Sequence, residues 1–218
     1  CARAAVLKAA KDALADGQSR LVFVQPPDLL DQQGHASGEE QGGVRFAKNM
    51  CPSQGTMDIF VEPVLPRSQI IICGSSPVAV ADFAKRAGFS VTSCAPADEQ
   101  AAFGEIDRRI EGYALSVDEP GARYIVISTQ GRGDEAALLA ALAVDAEYIA
   151  FVGSRKKAEA LKSSLAGHGI SEERLARLKA PAGLDLGAIT PEEIAISILA
   201  EIVAVQRRKD SRDKAVVA

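Results

Sequence analysis

The side chains able to do chemistry in this 218-residue chain are few and widely spaced. Four are thiols: Cys1, Cys51, Cys73 and Cys94. No two of them form a Cys-x-x-Cys pair, and the two histidines, His35 and His168, complete no zinc pattern. Cys73 lies within an apolar run and reads as a core thiol. Cys94, at a strand end, is ambiguous. Cys51 belongs to Met50-Cys51-Pro52-Ser53-Gln54-Gly55, a turn-rich segment in which a thiol can meet solvent. By that context alone it is an ordinary loop thiol. Cys1, with no initiator methionine before it, reads as the start of a fragment or of a processed chain. An N-terminal nucleophile is the other reading, but no histidine partner is placed for it.

Anion binding is the second chemistry on offer. Gly74-Ser75-Ser76 and Gly153-Ser154-Arg155 each end an apolar strand and lead into a helix. Backbone N–H groups at such a helix start, together with Arg155, can hold a phosphate. Equally, Ser154 can cap the helix and leave Arg155 solvated. Thr129-Gln130-Gly131-Arg132 is a third strand end of this kind. Asp185 sits in the glycine-flanked run Gly183-Leu184-Asp185-Leu186-Gly187-Ala188, where it either caps a turn or faces a site.

The elements that position these residues follow from periodicity. Residues 69–79 read as strand, turn and helix, the opening of a nucleotide-type βαβ unit. The turn departs from Gly-x-Gly-x-x-Gly/Ala, because Ser76 stands at the middle glycine that would lie against a pyrophosphate. The second strand, 89–94, ends in Cys94-Ala95-Pro96 without the acidic residue that takes a ribose, and Asp98 comes only later. Both departures argue against NAD(P). Further strands are expected at 21–24, 57–65, 123–128 and 148–152, with Pro63 at an edge or an end. Helices are expected at 2–16 (Ala5, Leu7, Ala10 and Leu14 along one side), 98–115 and 134–143, and after Ser154 and Ser171. Residues 26–43 read as a loop. Thr190-Pro191-Glu192-Glu193 is a full helix-start signal, and Ile194, Ile198, Ile202 and Val205 mark the helix behind it. Strands alternating with helices imply an α/β, doubly wound parallel sheet of Rossmann type. A boundary at Pro66 leaves a smaller, N-terminally incomplete α+β domain at 1–66 and the Rossmann-like domain at 67–218.

Composition narrows the class. With 47% hydrophobic residues and no tryptophan the chain can bury a sizeable core. A net charge of −4 and a pI near 5.3 leave no basic footprint for nucleic acid. The longest apolar run, 194–205, is interrupted by Glu201 and is too short to span a membrane. No signal peptide is visible and the thiols are unpatterned, so the expected setting is the reduced cytoplasm.

Three longer stretches together resemble the XdhC/CoxI accessory proteins of molybdenum hydroxylases such as xanthine dehydrogenase and carbon monoxide dehydrogenase. They are residues 51–63 (Cys-Pro-Ser-Gln-Gly-Thr-Met-Asp-Ile-Phe-Val-Glu-Pro), residues 148–157 (Tyr-Ile-Ala-Phe-Val-Gly-Ser-Arg-Lys-Lys) and, most distinctive, residues 180–195 around Gly183-Leu184-Asp185. Cys1 is similar to the cysteine that closes the family's Ser-Gly-Gly-Cys segment. The resemblance implies a maturation chaperone rather than an enzyme. It would transiently bind molybdenum cofactor (molybdopterin or its cytosine dinucleotide), assist sulfuration by a cysteine desulfurase, and deliver the cofactor to an apo molybdenum hydroxylase. It also implies that Cys51 and Cys1 contact the cofactor, with Cys51 a soft ligand for the metal. The Rossmann half would then hold pterin or phosphate through Gly74, Ser75, Ser76, Gly153, Ser154, Arg155 and Asp185. A homodimer is compatible with this reading. Gln54, Ser76 and Gln130 depart from the family pattern. The alternative is a nicotinamide-dependent oxidoreductase with a degenerate fingerprint.

Overall fold

The computed structural model describes residues 3–52, 54–76, 78–115 and 120–217, and it divides into two compact units on either side of Leu65 and Pro66. In the smaller unit the elements are α1 (Arg3–Asp16), β1 (Arg20–Gln25), α2 (Pro27–Gln33), β2 (Glu40–Gln41), β3 (Val44–Lys48) and β4 (Met57–Val61). Its four-stranded sheet has the order β2-β3-β1-β4, with β1 parallel to β3 and antiparallel to β4. The β4 strand therefore lies at an edge, as Pro63 requires two residues beyond it.

Two expectations fail in this unit. The side of α1 that meets the sheet is the row Ala5, Ala9 and Ala13, while Leu7 and Leu14 are 51% and 59% exposed. Spacing of i, i+4 keeps those three alanines on one face, and their small side chains let the helix approach Val22 and Val24 closely. Residues 26–43, read as a loop, contain α2 and β2. Pro27 begins α2, Asp28 sits in its first turn, and Gly34 closes it at φ +74°.

The larger unit begins with β5 (Gln69–Cys73), α3 (Val78–Arg86) and β6 (Ser90–Ala95). A 3-10 turn (Gln100–Ala102) and β7 (Arg108–Glu111) follow, then β8 (Arg123–Ile127), α4 (Asp134–Ala143), β9 (Tyr148–Phe151) and α5 (Arg155–Gly167). The unit closes with α6 (Glu172–Ala176), β10 (Leu178–Lys179) and α7 (Pro191–Val217), of which the part up to Arg212 belongs to it. All neighbouring strands are parallel in the order β10-β9-β8-β5-β6-β7, the doubly wound order whose direction reverses between β5 and β8. Every residue of β5 is buried. Ile70 and Ile72 pack with α3 and α7 on one face, and Ile71 and Cys73 with α4 and α5 on the other, as period-two alternation demands.

The helix expected over 98–115 is absent. After the 3-10 turn the chain extends into β7, whose Arg108, Arg109, Ile110 and Glu111 pair with residues 92–95 of β6. Gly104 and Gly112 bracket that extended stretch, and sheet pairing outweighs the helical spacing of Phe103, Ile106 and Ile110.

Candidate functional site

A cavity of about 610 Å³ opens beyond the carboxyl ends of β9 and β10, between the start of α5 and the run 180–188. Its walls include Gly153, Arg155, Lys179, Gly183, Leu184 and Asp185, with Ile194 and Ser197 of α7 behind. A volume of that size suits a cofactor-sized ligand.

The α5 wall is built for an anion. Ser154 is the N-cap, its Oγ accepting from the Lys157 N–H at 3.2 Å. That leaves the N–H groups of Arg155 and Lys156 outside any intrahelical bond, since the first turn of a helix has no acceptors for them. No acidic residue lies in this first turn; instead Arg155, Lys156 and Lys157 stand in a row where the helix dipole already favours negative charge. Lys157 is compensated, pairing with Asp134 at 2.6 Å and lying 5.4 Å from the centre of the Phe151 ring. Arg155 remains exposed on the cavity wall. Both readings of Ser154-Arg155 thus hold at once: the serine caps, and the arginine stands at the mouth of a cavity.

The opposite wall is fixed from beneath by one buried carboxylate. Glu201 of α7 is 2% exposed and accepts from the Tyr148 hydroxyl at 2.6 Å and from the Gly183 N–H at 3.0 Å. It also pairs with the Lys179 ammonium. Burial pushes the Tyr148 hydroxyl up to about 12, against an opposing pull from the Gly183 N–H. Further bonds run from the Ala182 N–H to the Phe151 carbonyl and from the Leu184 N–H to the Ser197 carbonyl, at 3.0 and 3.1 Å. Gly183 has φ +92°, and a Cβ there would meet the Ser197 Oγ at 2.3 Å and the Ile198 nitrogen at 3.0 Å. Only glycine fits, and the tight seat leaves Asp185 at the solvent edge of the cavity.

Of the residues singled out by sequence, Gly153, Arg155 and Asp185 share this cavity, and Ser154 caps the helix at its rim. Gly74, Ser75 and Ser76 do not line it. They lie beyond β5, at the reversal of strand order. Two of the glycines have packing reasons of their own: a Cβ on Gly74 would sit 2.4 Å from the Ser128 carbonyl oxygen, and one on Gly153 2.4 Å from Phe151. Cys51 belongs to the smaller unit, exposed in a turn where its N–H donates to Asn49 Oδ1 at 3.0 Å. Gln54, at the position where the family pattern has glycine, adopts φ +46°. Cys1 lies outside the described residues. Cys73 and Cys94 are both fully buried and face each other across β5 and β6, and their contact together with burial raises the Cys73 thiol well above its ordinary value. His35 stacks on Phe46 at 3.7 Å. Among the described residues no group of three or more His, Cys, Asp or Glu side chains is placed to hold a metal, and no helix is long and apolar enough to cross a membrane.

Sequence reasoning missed Lys179, Tyr148 and Ser197 and gave Glu201 no role. Glu201 did carry a signal: a lone carboxylate among Ile194, Ile198 and Ile202 on an otherwise apolar helix face needs a buried partner.

Comparison with known proteins gives the family and the fold. A curated relative, "Uncharacterized protein YqeB" of Escherichia coli strain K12, is 29% identical over 163 residues, covering 70% of this chain and 30% of the relative. A probable xanthine dehydrogenase subunit of Bacillus subtilis strain 168 is 28% identical over 163 residues, covering 70% of this chain and 47% of the relative. The chain therefore spans less than half the length of either. A crystal structure of a xanthine dehydrogenase from Bacillus halodurans shares the fold, with a TM-score of 0.56 at 20% identity over 94% of this chain and 64% of that one. The family model described as the XdhC Rossmann domain matches residues 70–202, which contain every element of the cavity, and the chain belongs to the XdhC family.

Proposed function

We propose that this chain serves the maturation of a molybdenum hydroxylase by holding molybdenum cofactor transiently in the cavity beside α5. One observation carries this reading: Arg155, in the uncompensated first turn of α5, and Asp185 line a single cavity. The phosphate of the cofactor suits the α5 side, where guanidinium and N–H groups converge. The aminopyrimidinone edge of a pterin presents N–H donors, and a carboxylate such as Asp185 is their natural acceptor. The bound cofactor supplies the oxo-transfer centre of the recipient enzyme. The residues of this chain bind and orient it and carry out no step of that reaction. An apo hydroxylase, a cysteine desulfurase acting on the held cofactor, a second copy of this chain and a cytoplasmic setting belong to the same proposal.

The test is retention. Protein mixed with released cofactor and gel-filtered is expected to carry molybdopterin, and Arg155→Ala with Asp185→Asn to lose about tenfold or more of it, the size of one or two charge-assisted hydrogen bonds. Loss confined to Cys51→Ala would move the cofactor to the smaller unit. Failure of the wild type to retain any would end the reading.

A further inference from the structure

A second feature lies away from the cavity, at the reversal of strand order. Classical dinucleotide sites place an acidic residue after the second strand of the fold to accept a ribose, and in this chain β6 ends without one. The chain instead turns back through Pro96, with the Glu99 N–H donating to the Pro96 carbonyl at 3.0 Å. Gln100 locks that turn against the sheet, donating to the carbonyls of Ala95 and Ile110 at 3.0 and 2.7 Å and accepting from Ser93 Oγ at 2.5 Å. Glu99 is thereby held at the carboxyl end of β6, four residues beyond the expected position.

Its side chain is only 9% exposed, yet Oε2 has no hydrogen-bond partner. Oε1 reaches Arg132 at 3.6 Å, and Arg132 itself is 75% exposed. Arg132 follows β8, and β5 lies between β6 and β8, so this pair links the two chain segments that follow the strands on either side of β5. An ion pair of that length on a largely exposed arginine contributes little and yields readily. A buried carboxylate oxygen left without a donor is costly, and a pair of ligand hydroxyls is what it lacks.

We propose that Glu99 accepts the vicinal ribose hydroxyls of a ribonucleotide lying over the ends of β5 and β6. It takes the place of the acidic residue missing from β6. Ser76 narrows the approach for a pyrophosphate at the neighbouring turn, so the ribose contact is the anchor of this site. The same diol chemistry is present in a free nucleotide, in a nicotinamide dinucleotide and in the nucleotide half of a cytosine dinucleotide cofactor.

Titration of the full chain with AMP, CMP and NADH, with 2′,3′-dideoxy-AMP and -CMP as controls, tests the assignment. At least one ribonucleotide is expected to bind about tenfold tighter than its dideoxy counterpart, or, for NADH, to lose about tenfold in affinity on Glu99→Gln. That preference should vanish in Glu99→Gln with an unchanged thermal midpoint, and persist in Asp185→Asn. The base preferred names the source: cytosine for the cofactor's nucleotide half, NADH for nicotinamide dinucleotide, adenine alone for a free nucleotide. No binding by the wild type at millimolar concentration, equal binding of ribo and dideoxy forms, or a preference that survives Glu99→Gln overturns the proposal. None of these outcomes depends on molybdopterin retention, so this site and the cavity stand or fall separately.

Discussion

The residue that ties together three segments around the cavity is Glu201. It satisfies one hydroxyl, one backbone N–H and one ammonium, from β9, from the run 180–188 and from β10 respectively. The ammonium of Lys179 is half exposed and can return to water, and the Gly183 N–H keeps a longer bond to the Tyr148 hydroxyl at 3.3 Å, but the Tyr148 hydroxyl would keep its own donor buried and unmet. Such an orphan costs about 1–3 kcal/mol. Glu201→Ala is therefore expected to destabilise the larger unit by about 2 kcal/mol, measured by urea unfolding, and to loosen the 180–188 wall, measured as faster hydrogen exchange at the Gly183 and Leu184 amides. Glu201→Gln, which can still accept with its carbonyl oxygen, should recover most of the stability. Equal losses in both variants would mean that charge, rather than hydrogen bonding, holds this wall.

At the scale of elements, the capping of α7 shows how far local sequence specifies structure. Thr190 Oγ1 accepts from the Glu193 N–H at 3.2 Å, and Glu193 Oε2 accepts from the Thr190 and Ile189 N–H groups at 3.0 and 2.8 Å. Thr190→Ala removes one half of this box and should cost about 1 kcal/mol, read as a drop in thermal midpoint. Signals of this kind made α5, α6 and α7 legible, as the leucines of α4 and the apolar runs of β5, β8 and β9 did for those elements. Arg155 and Asp185 were legible for the same reason, because each lies a residue or two from a recognised punctuation mark. What stayed hidden depended on contacts distant in sequence. The Arg-Arg-Ile-Glu stretch becomes β7 only because β6 offers it an unpaired edge, and it carries no apolar alternation of its own. Glu99 gains meaning only once the turn through Pro96 carries it back to the sheet. The partners of Glu201 stand 18, 22 and 53 residues away along the chain, and no local pattern joins them.

For the molecule as a whole, the distribution of chromophores makes one unit separately observable. The chain has three tyrosines and no tryptophan, and Tyr113, Tyr124 and Tyr148 all fall in the larger unit. Tyrosine absorbance and fluorescence therefore report that unit alone. Burial holds the Tyr148 hydroxyl up at about 12, above an ordinary value near 10. A raised value means that the folded state keeps a proton which the unfolded state releases, so stability is full below pH 10 and falls as pH rises toward 12. A rise of that size corresponds to about 2–3 kcal/mol lost across the window. The expected result is a urea midpoint, followed by tyrosine fluorescence, that is flat from about pH 8 to 9.5 and declines steadily above 10. Tyr148→Phe should start lower at about pH 8, because Glu201 and Gly183 lose a shared partner, and should then decline less steeply than the wild type. Parallel curves for the two proteins would place the alkaline loss elsewhere in the unit and remove the link between the buried tyrosine and the seat of the Gly183 loop.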